Sequence, residues 1–182
     1  MRYRLAIAAG LLVVAAAPPA AAWWEASMPR HMLGQFPLLV AAGALVASMP
    51  TQTVPPERHA EAVAAVLLAA FCLAFWMLPR WLDAAVGDGI VDLVKMATLV
   101  LLAGLPLGWG WRRLGSVARG FVGLQAVGML AVLGFLYLTF PDRLCNNYLI
   151  SEQAVLGALM LSLSGSLGLA IMLRALVGYR WS

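Results

Sequence analysis

The sequence predicts an all-α, polytopic membrane helix bundle of about six transmembrane helices with both termini in the cytoplasm. Three observations lead there. Hydrophobic residues make up 63% of the 182 and charged residues only 11%, with a mean hydropathy of +0.89, which leaves too little polar surface for a domain surrounded by water. Apolar stretches of about 20 residues, enough to cross about 30 Å of hydrocarbon, recur along the chain with short connections. The arginines crowd into alternate connections, as the positive-inside rule requires. No run of alternating strand-like segments suggests a β-barrel. Residues 1–182 are therefore read as a single transmembrane bundle with no room for a water-soluble catalytic domain.

The first stretch, Leu5–Ala22, carries two patterns. It is long enough to span. Yet Met1-Arg2-Tyr3-Arg4, the apolar run to Ala17 and Ala20-Ala21-Ala22 also form the three parts of a signal peptide. Pro18-Pro19 should break a helix there. The reading adopted is a retained first helix, with a cleaved signal peptide over residues 1–22 as the alternative. Later topology is the same in both cases.

The second stretch is His31–Met49, followed by an inner turn of helix breakers over Pro50–Pro56. The third, Ala60–Leu78, leads into a short acidic outer loop, Asp83–Gly89. The fourth is Ile90–Trp111. The fifth, Gly120–Phe140, is closed by Pro141-Asp142-Arg143. The last, Tyr148–Leu176, exceeds one span and must tilt, kink or run out along the interface. Asn146 and Asn147 are placed to cap its start. Trp23, Trp24 and Trp81 mark one interface, and Trp109, Trp111 and Trp181 the other. Small residues at Gly157, Ala158, Ser162, Gly165, Ser166 and Gly168, with Gly120, Gly123, Gly128 and Gly134 in the fifth stretch, predict closely packed helices there.

If six spans alternate, Arg2, Arg4, Arg58, Arg112, Arg113, Arg119, Arg174 and Arg180 share the inner side. Only Arg30, Arg80 and Arg143 lie outside, with Glu25, Asp83, Asp88 and Asp142. The net charge of +4 is thus a topology signal and not a nucleic-acid footprint. Cys72 and Cys145 stand far apart in this topology, so no disulfide is expected.

Polar residues inside apolar segments are expensive and point to function. Asp92 and Lys95 share one helix face, with Asp92 at the helix start where the macrodipole favours an anion. Glu152 and Gln153 sit early in the last helix, with Lys95 and Arg143 as partners at the same depth. His31, Gln35, Asp92, Lys95, Arg143, Glu152 and Gln153 are therefore expected to converge in one polar layer near the outer end of the bundle. A structural ion network accounts for such a layer without any ligand. A sharper reading adds copper, with Met28, His31, Met32 and Met77 as donors, and Met96 or Cys145 able to approach. There is no phosphate-binding GxxxxGK[ST] motif, no histidine pair within the spans for haem, and no nucleophile beside a base. No enzyme is expected. His59 reads as a solvated inner-loop residue.

Three segments together resemble the CtaG-like cytochrome c oxidase assembly factor family. They are His31-Met32-Leu33-Gly34-Gln35, opening a helix; Trp76-Met77-Leu78-Pro79 with the acidic stretch after it; and Glu152-Gln153 with Gly157 and Met160. Their order and spacing fit over roughly residues 31–165. The chain departs from the family where histidines are usual: Gln35 replaces a second histidine, Met77 replaces the one in the Trp-x-Leu-Pro motif, and Asp88, Asp92 and Lys95 occupy the entry of the next helix. The resemblance implies a multi-pass protein of the bacterial inner membrane that aids maturation or copper loading of a membrane oxidase. Its partners would be the bilayer and subunits of an oxidase or another respiratory complex. The alternative is a non-catalytic auxiliary subunit of a respiratory or monooxygenase complex. A small transporter is disfavoured by the lack of an inverted repeat.

Overall fold

The computed structural model describes residues 2–47 and 59–178. Among them are eight helices and no strand. In chain order these are α1 (Arg2–Ala16), α2 (Pro18–Glu25), α3 (Met28–Ala47), α4 (His59–Trp76), α5 (Pro79–Gly87), α6 (Gly89–Trp111), α7 (Ser116–Thr139) and α8 (Ile150–Gly178). Four of them, α3, α6, α7 and α8, are each long and apolar enough to cross a membrane. The pairs α1–α2 and α4–α5 pass the same test jointly but bend by 60° and 70°, giving up to six spans if each pair counts as one. The chain is a multi-pass membrane protein of all-α class.

The bends follow from proline. Pro18 and Pro19 have no N–H to continue α1, so the carbonyls of Val14 and Ala15, four residues earlier, lose their helical partners. Leu78-Pro79 ends α4 in the same way, and Pro79 then opens α5. The stretch expected to be an outer loop from Asp83 is consequently helical up to Gly87, and Asp88 caps α6 by accepting from the Ile90 N–H at 2.7 Å.

Proline also widens two turns inside the long helices. α3 contains a π-helical turn over His31–Gln35, in which the Phe36 N–H bonds the His31 carbonyl. α6 contains another over Leu99–Gly104, closed by the Leu105 N–H on the Val100 carbonyl. Each turn lies immediately before a residue-proline pair, Phe36-Pro37 and Leu105-Pro106. A proline ring in a regular helix strikes the carbonyl four residues back. Opening that turn to π geometry relieves the clash.

The chain divides into two compact units, Met1–Leu114 with Cys145–Asn147, and Gly115–Leu144 with Tyr148–Ser182. In the first, α6 packs against α3 and α4, and α1 lies along α3. α3 and α6 cross backbone to backbone. A Cβ on Gly104 would stand 2.6 Å from the Val40 carbonyl and 2.8 Å from the Gly43 Cα, and Gly108 rests on Ala44 in the same manner. The Asp83 carboxylate on α5 accepts the N–H groups of Asn146 and Asn147 at 2.7 and 3.3 Å, and the Asn147 amide donates to the Asp83 carbonyl. These asparagines are therefore tied to α5, which corrects the expectation that they cap the last helix.

The second unit is the hairpin of α7 and α8. Gly134 and Gly157 face each other, and a Cβ on either would come within 2.9 Å of the other's carbonyl. The Ser164 hydroxyl donates to the Val127 carbonyl at 2.9 Å. Gly120, Gly128 and Gly165, by contrast, have nothing within 4 Å of a Cβ position, and Ser162 and Ser166 bond carbonyls of their own helix. Of the small residues expected to let these helices pack closely, Gly134 and Gly157 make the tightest approach, and Gly123 and Gly168 meet side chains of the facing helix at 3.3 and 3.5 Å. At 29 residues α8 runs unbroken for about 43 Å, longer than the hydrocarbon core. The Pro50–Pro56 turn, Arg58, Arg180 and Trp181 lie outside the described residues, as does the side chain of His59.

Candidate functional site: a buried lysine network

The site is built by the proline breaks. α2 bends away from α1 by 60° at Pro18-Pro19 and ends in Glu25, and after Ala26 and Ser27 α3 begins. Of the two carbonyls freed by the prolines, that of Val14 accepts from the Trp24 indole at 2.8 Å. That of Ala15 accepts from the Gln35 side-chain amide at 3.0 Å. The Trp24 ring packs flat enough on Gly34 that no Cβ could fit there. These contacts fix α1, α2 and the start of α3 as one piece. His31 and Gln35, at the two ends of the π-helical turn, face the first turns of α6.

Lys95 of α6 enters this piece and has no exposed surface. Its Nζ lies 2.9 Å from Glu25 Oε1, 2.8 Å from His31 Nε2 and 3.1 Å from Gln35 Oε1. An ammonium has three protons, and these three acceptors use them all. Asp92 Oδ1 stands at 2.6 Å as a fourth neighbour, but at an angle that makes it an ion pair and not a hydrogen bond. With Lys95 donating, His31 Nε2 is the acceptor, so the ring proton belongs on Nδ1. The Gln35 orientation is fixed too, since its oxygen accepts from Lys95 while its nitrogen donates to Ala15 and reaches Glu25 at 3.5 Å. His31 and Gln35 are fully buried, and Glu25 and Asp92 side chains keep only 16% and 17% exposure. Two carboxyl groups thus flank one lysine at the edge of the unit, with the lysine sealed beneath them. A charge in so dry a place is tolerable because it is paired and hydrogen-bonded throughout.

Of the seven residues expected in the polar layer, the first unit brings together His31, Gln35, Asp92 and Lys95. The other three lie in the second unit with interactions of their own. The Arg143 guanidinium donates twice to the Tyr148 carbonyl, at 2.8 and 3.1 Å. Gln153, buried on α8, accepts from the Leu144 N–H at 3.0 Å and donates to the carbonyls of Tyr137 and Asp142. It holds the connection between α7 and α8 in place. Glu152 is part-exposed.

Glu25 is the member that sequence reasoning missed. Its signal was available, because it is the one acid between the first two apolar stretches and directly follows Trp23-Trp24.

The proposed copper donors fare differently from the ion network. Met28 and Met32 are buried in the core. Met77 sits part-exposed in the turn between α4 and α5. His31 offers no lone pair at Nε2, because Lys95 occupies it. A soft metal ion beside an ammonium 2.8 Å from its ligand would be repelled, so this donor set does not fit copper as arranged. Among the described residues no three His, Cys, Asp or Glu side chains are grouped for a metal.

Cys145 is also buried, against α5, where burial and the neighbouring Asp83 carboxylate push its thiol up to about 12. Both cysteines are free.

No family model, curated protein or solved structure matches the chain.

Proposed function

We propose that this chain is an accessory protein of a bacterial inner-membrane oxidase that aids its maturation as a scaffold, without itself carrying copper in the lysine-bound state. The observation that carries the reading is Lys95, held by His31, Gln35, Glu25 and Asp92 where the resemblance would lead one to look for metal-binding histidines. The resemblance over residues 31–165 supports the link to oxidase assembly. The sealed network supports a scaffold, since every proton of the ammonium is spent inside the protein. The same feature favours a second reading, a resident auxiliary subunit of a respiratory or monooxygenase complex, because a lysine network closed within the protein suits a permanent part.

Deleting the gene and measuring oxidase activity and copper per oxidase in isolated membranes tests the proposal. Both should fall and be restored by the wild-type gene. Normal activity and copper in the deletant would rule it out. Purification in mild detergent separates the two roles: recovery with oxidase precursors marks a maturation factor, and stoichiometric recovery with the mature complex marks a subunit.

A further inference from the structure

A second feature of the first unit is independent of the lysine network. Between α4 and α6 runs an open groove of about 620 Å³. Its walls include Leu68, Phe71, Phe75, Val94 and Leu102, and its floor is made by Cys72 and Thr98. The polar groups at the floor are turned to one another. The Trp76 indole donates to the Thr98 hydroxyl at 2.8 Å, that hydroxyl donates to the Val94 carbonyl at 2.7 Å, and the Cys72 thiol lies 3.6 Å from the Thr98 carbonyl. What remains facing outward is apolar.

Length and ending say what fits. From Leu68 to Trp76 the groove follows α4 for about 12 Å at 1.5 Å per residue, most of the depth of one leaflet of hydrocarbon, and Leu78 lines its end. It stops where the chain bends 70° into α5. There the Trp81 ring stands against two of the lining residues, 4.9 Å from Phe75 and 6.5 Å from Trp76, and its chain neighbour Arg80 is exposed. Indole and guanidinium groups belong at the headgroup level. An apolar channel about 12 Å long, with an indole and an exposed cation in the turn beyond its end, is complementary to an amphiphile with one long chain and an anionic head.

We propose that the α4–α6 groove binds an acyl chain of a membrane phospholipid whose phosphate pairs with Arg80. The test uses the full chain reconstituted in phosphatidylethanolamine–phosphatidylglycerol vesicles, with a phosphatidylglycerol carrying a photoactivatable diazirine in its acyl chain. After irradiation, lipid adducts are mapped by peptide mass spectrometry. Adducts should concentrate on the peptides spanning Leu68–Leu78 and Val94–Leu102, above the level on the exposed face of α7 that carries Phe121, Leu124 and Val132. Arg80→Gln should lower groove labelling about fivefold. Ala74→Trp should abolish it by filling the groove. In both variants labelling of α7 should be unchanged, which reports that the protein is still folded and inserted. Even labelling over α4, α6 and α7 in the wild type would overturn the proposal. So would indifference to Arg80→Gln, or equal labelling by a diazirine diacylglycerol that lacks the phosphate. Cross-linking of the groove to another protein in native membranes, in place of lipid, would overturn it as well.

Discussion

At the scale of single residues, the account rests on how completely Lys95 is satisfied. Removing the cation alone leaves the largely buried Glu25 and Asp92 carboxyl groups without their counter-charge. Lys95→Met should therefore destabilise the protein by about 3 kcal/mol, read as a lower unfolding temperature in detergent. The triple variant Lys95→Met, Glu25→Gln, Asp92→Asn should recover most of that loss, because neutral groups no longer need a counter-charge. A single variant as stable as wild type would show that the ion network is incidental. Cys145 gives a second residue-level prediction. With its thiol raised to about 12, it should resist a maleimide at pH 8 in the folded protein and react once the protein is unfolded. The sign of the linkage follows. Below about pH 8.5 both states keep the proton. Above it the unfolded thiol ionises and the folded one does not, so stability falls as pH rises toward 12. Rapid labelling of native Cys145 would contradict its burial. Four members of the network were legible because charged and amide side chains inside apolar runs are conspicuous. Glu25 was conspicuous as an acid but was not placed in the network, because its position depends on the bend at Pro18-Pro19, whose direction residue types alone do not fix.

At the scale of elements, proline and glycine decide the geometry. The expected break at Pro18-Pro19 occurs, but its consequence could not be read from sequence. The carbonyls it frees are taken by Trp24 and Gln35, from the next two helices. The π-helical turns before Pro37 and Pro106 were missed, although each has a local cause in the proline that follows. Small residues were sought in α7 and α8, yet the most crowded crossing is that of α3 and α6 at Gly43, Gly104 and Gly108. Spacing shows that close approach is possible, whereas which face meets a neighbour depends on packing. Gly104→Leu should accordingly prevent proper packing of α3 on α6, with a loss of several kcal/mol, at or above the usual range of overpacked cores of about 1–3 kcal/mol. Gly165→Leu, with nothing within 4 Å, should change stability by less than about 0.5 kcal/mol. Thermal unfolding of the two variants side by side checks this. Equal effects would contradict the crossing described for α3 and α6.

At the scale of the whole molecule, hydropathy was enough for the class and for a number of spans within the four to six that the helices allow, because bilayer thickness sets a length that composition reveals directly. It did not reveal that two of the stretches are bent pairs, since a bend changes direction without changing hydropathy. The proposed orientation predicts that Asp88→Cys is labelled from the periplasmic side and Ser116→Cys only from the cytoplasmic side, in a background where Cys72 and Cys145 are replaced. Labelling of both from one side would refute it. Whether the molecule works as a scaffold or as a carrier comes down to what His31 can bind while Lys95 is in place. The most direct measurement is anaerobic Cu(I) titration of the purified wild-type protein alongside His31→Ala and Met32→Ala, with bound copper counted after a competing chelator. The account predicts no chelator-resistant copper in any of the three. One equivalent held by the wild type and lost in His31→Ala would contradict it.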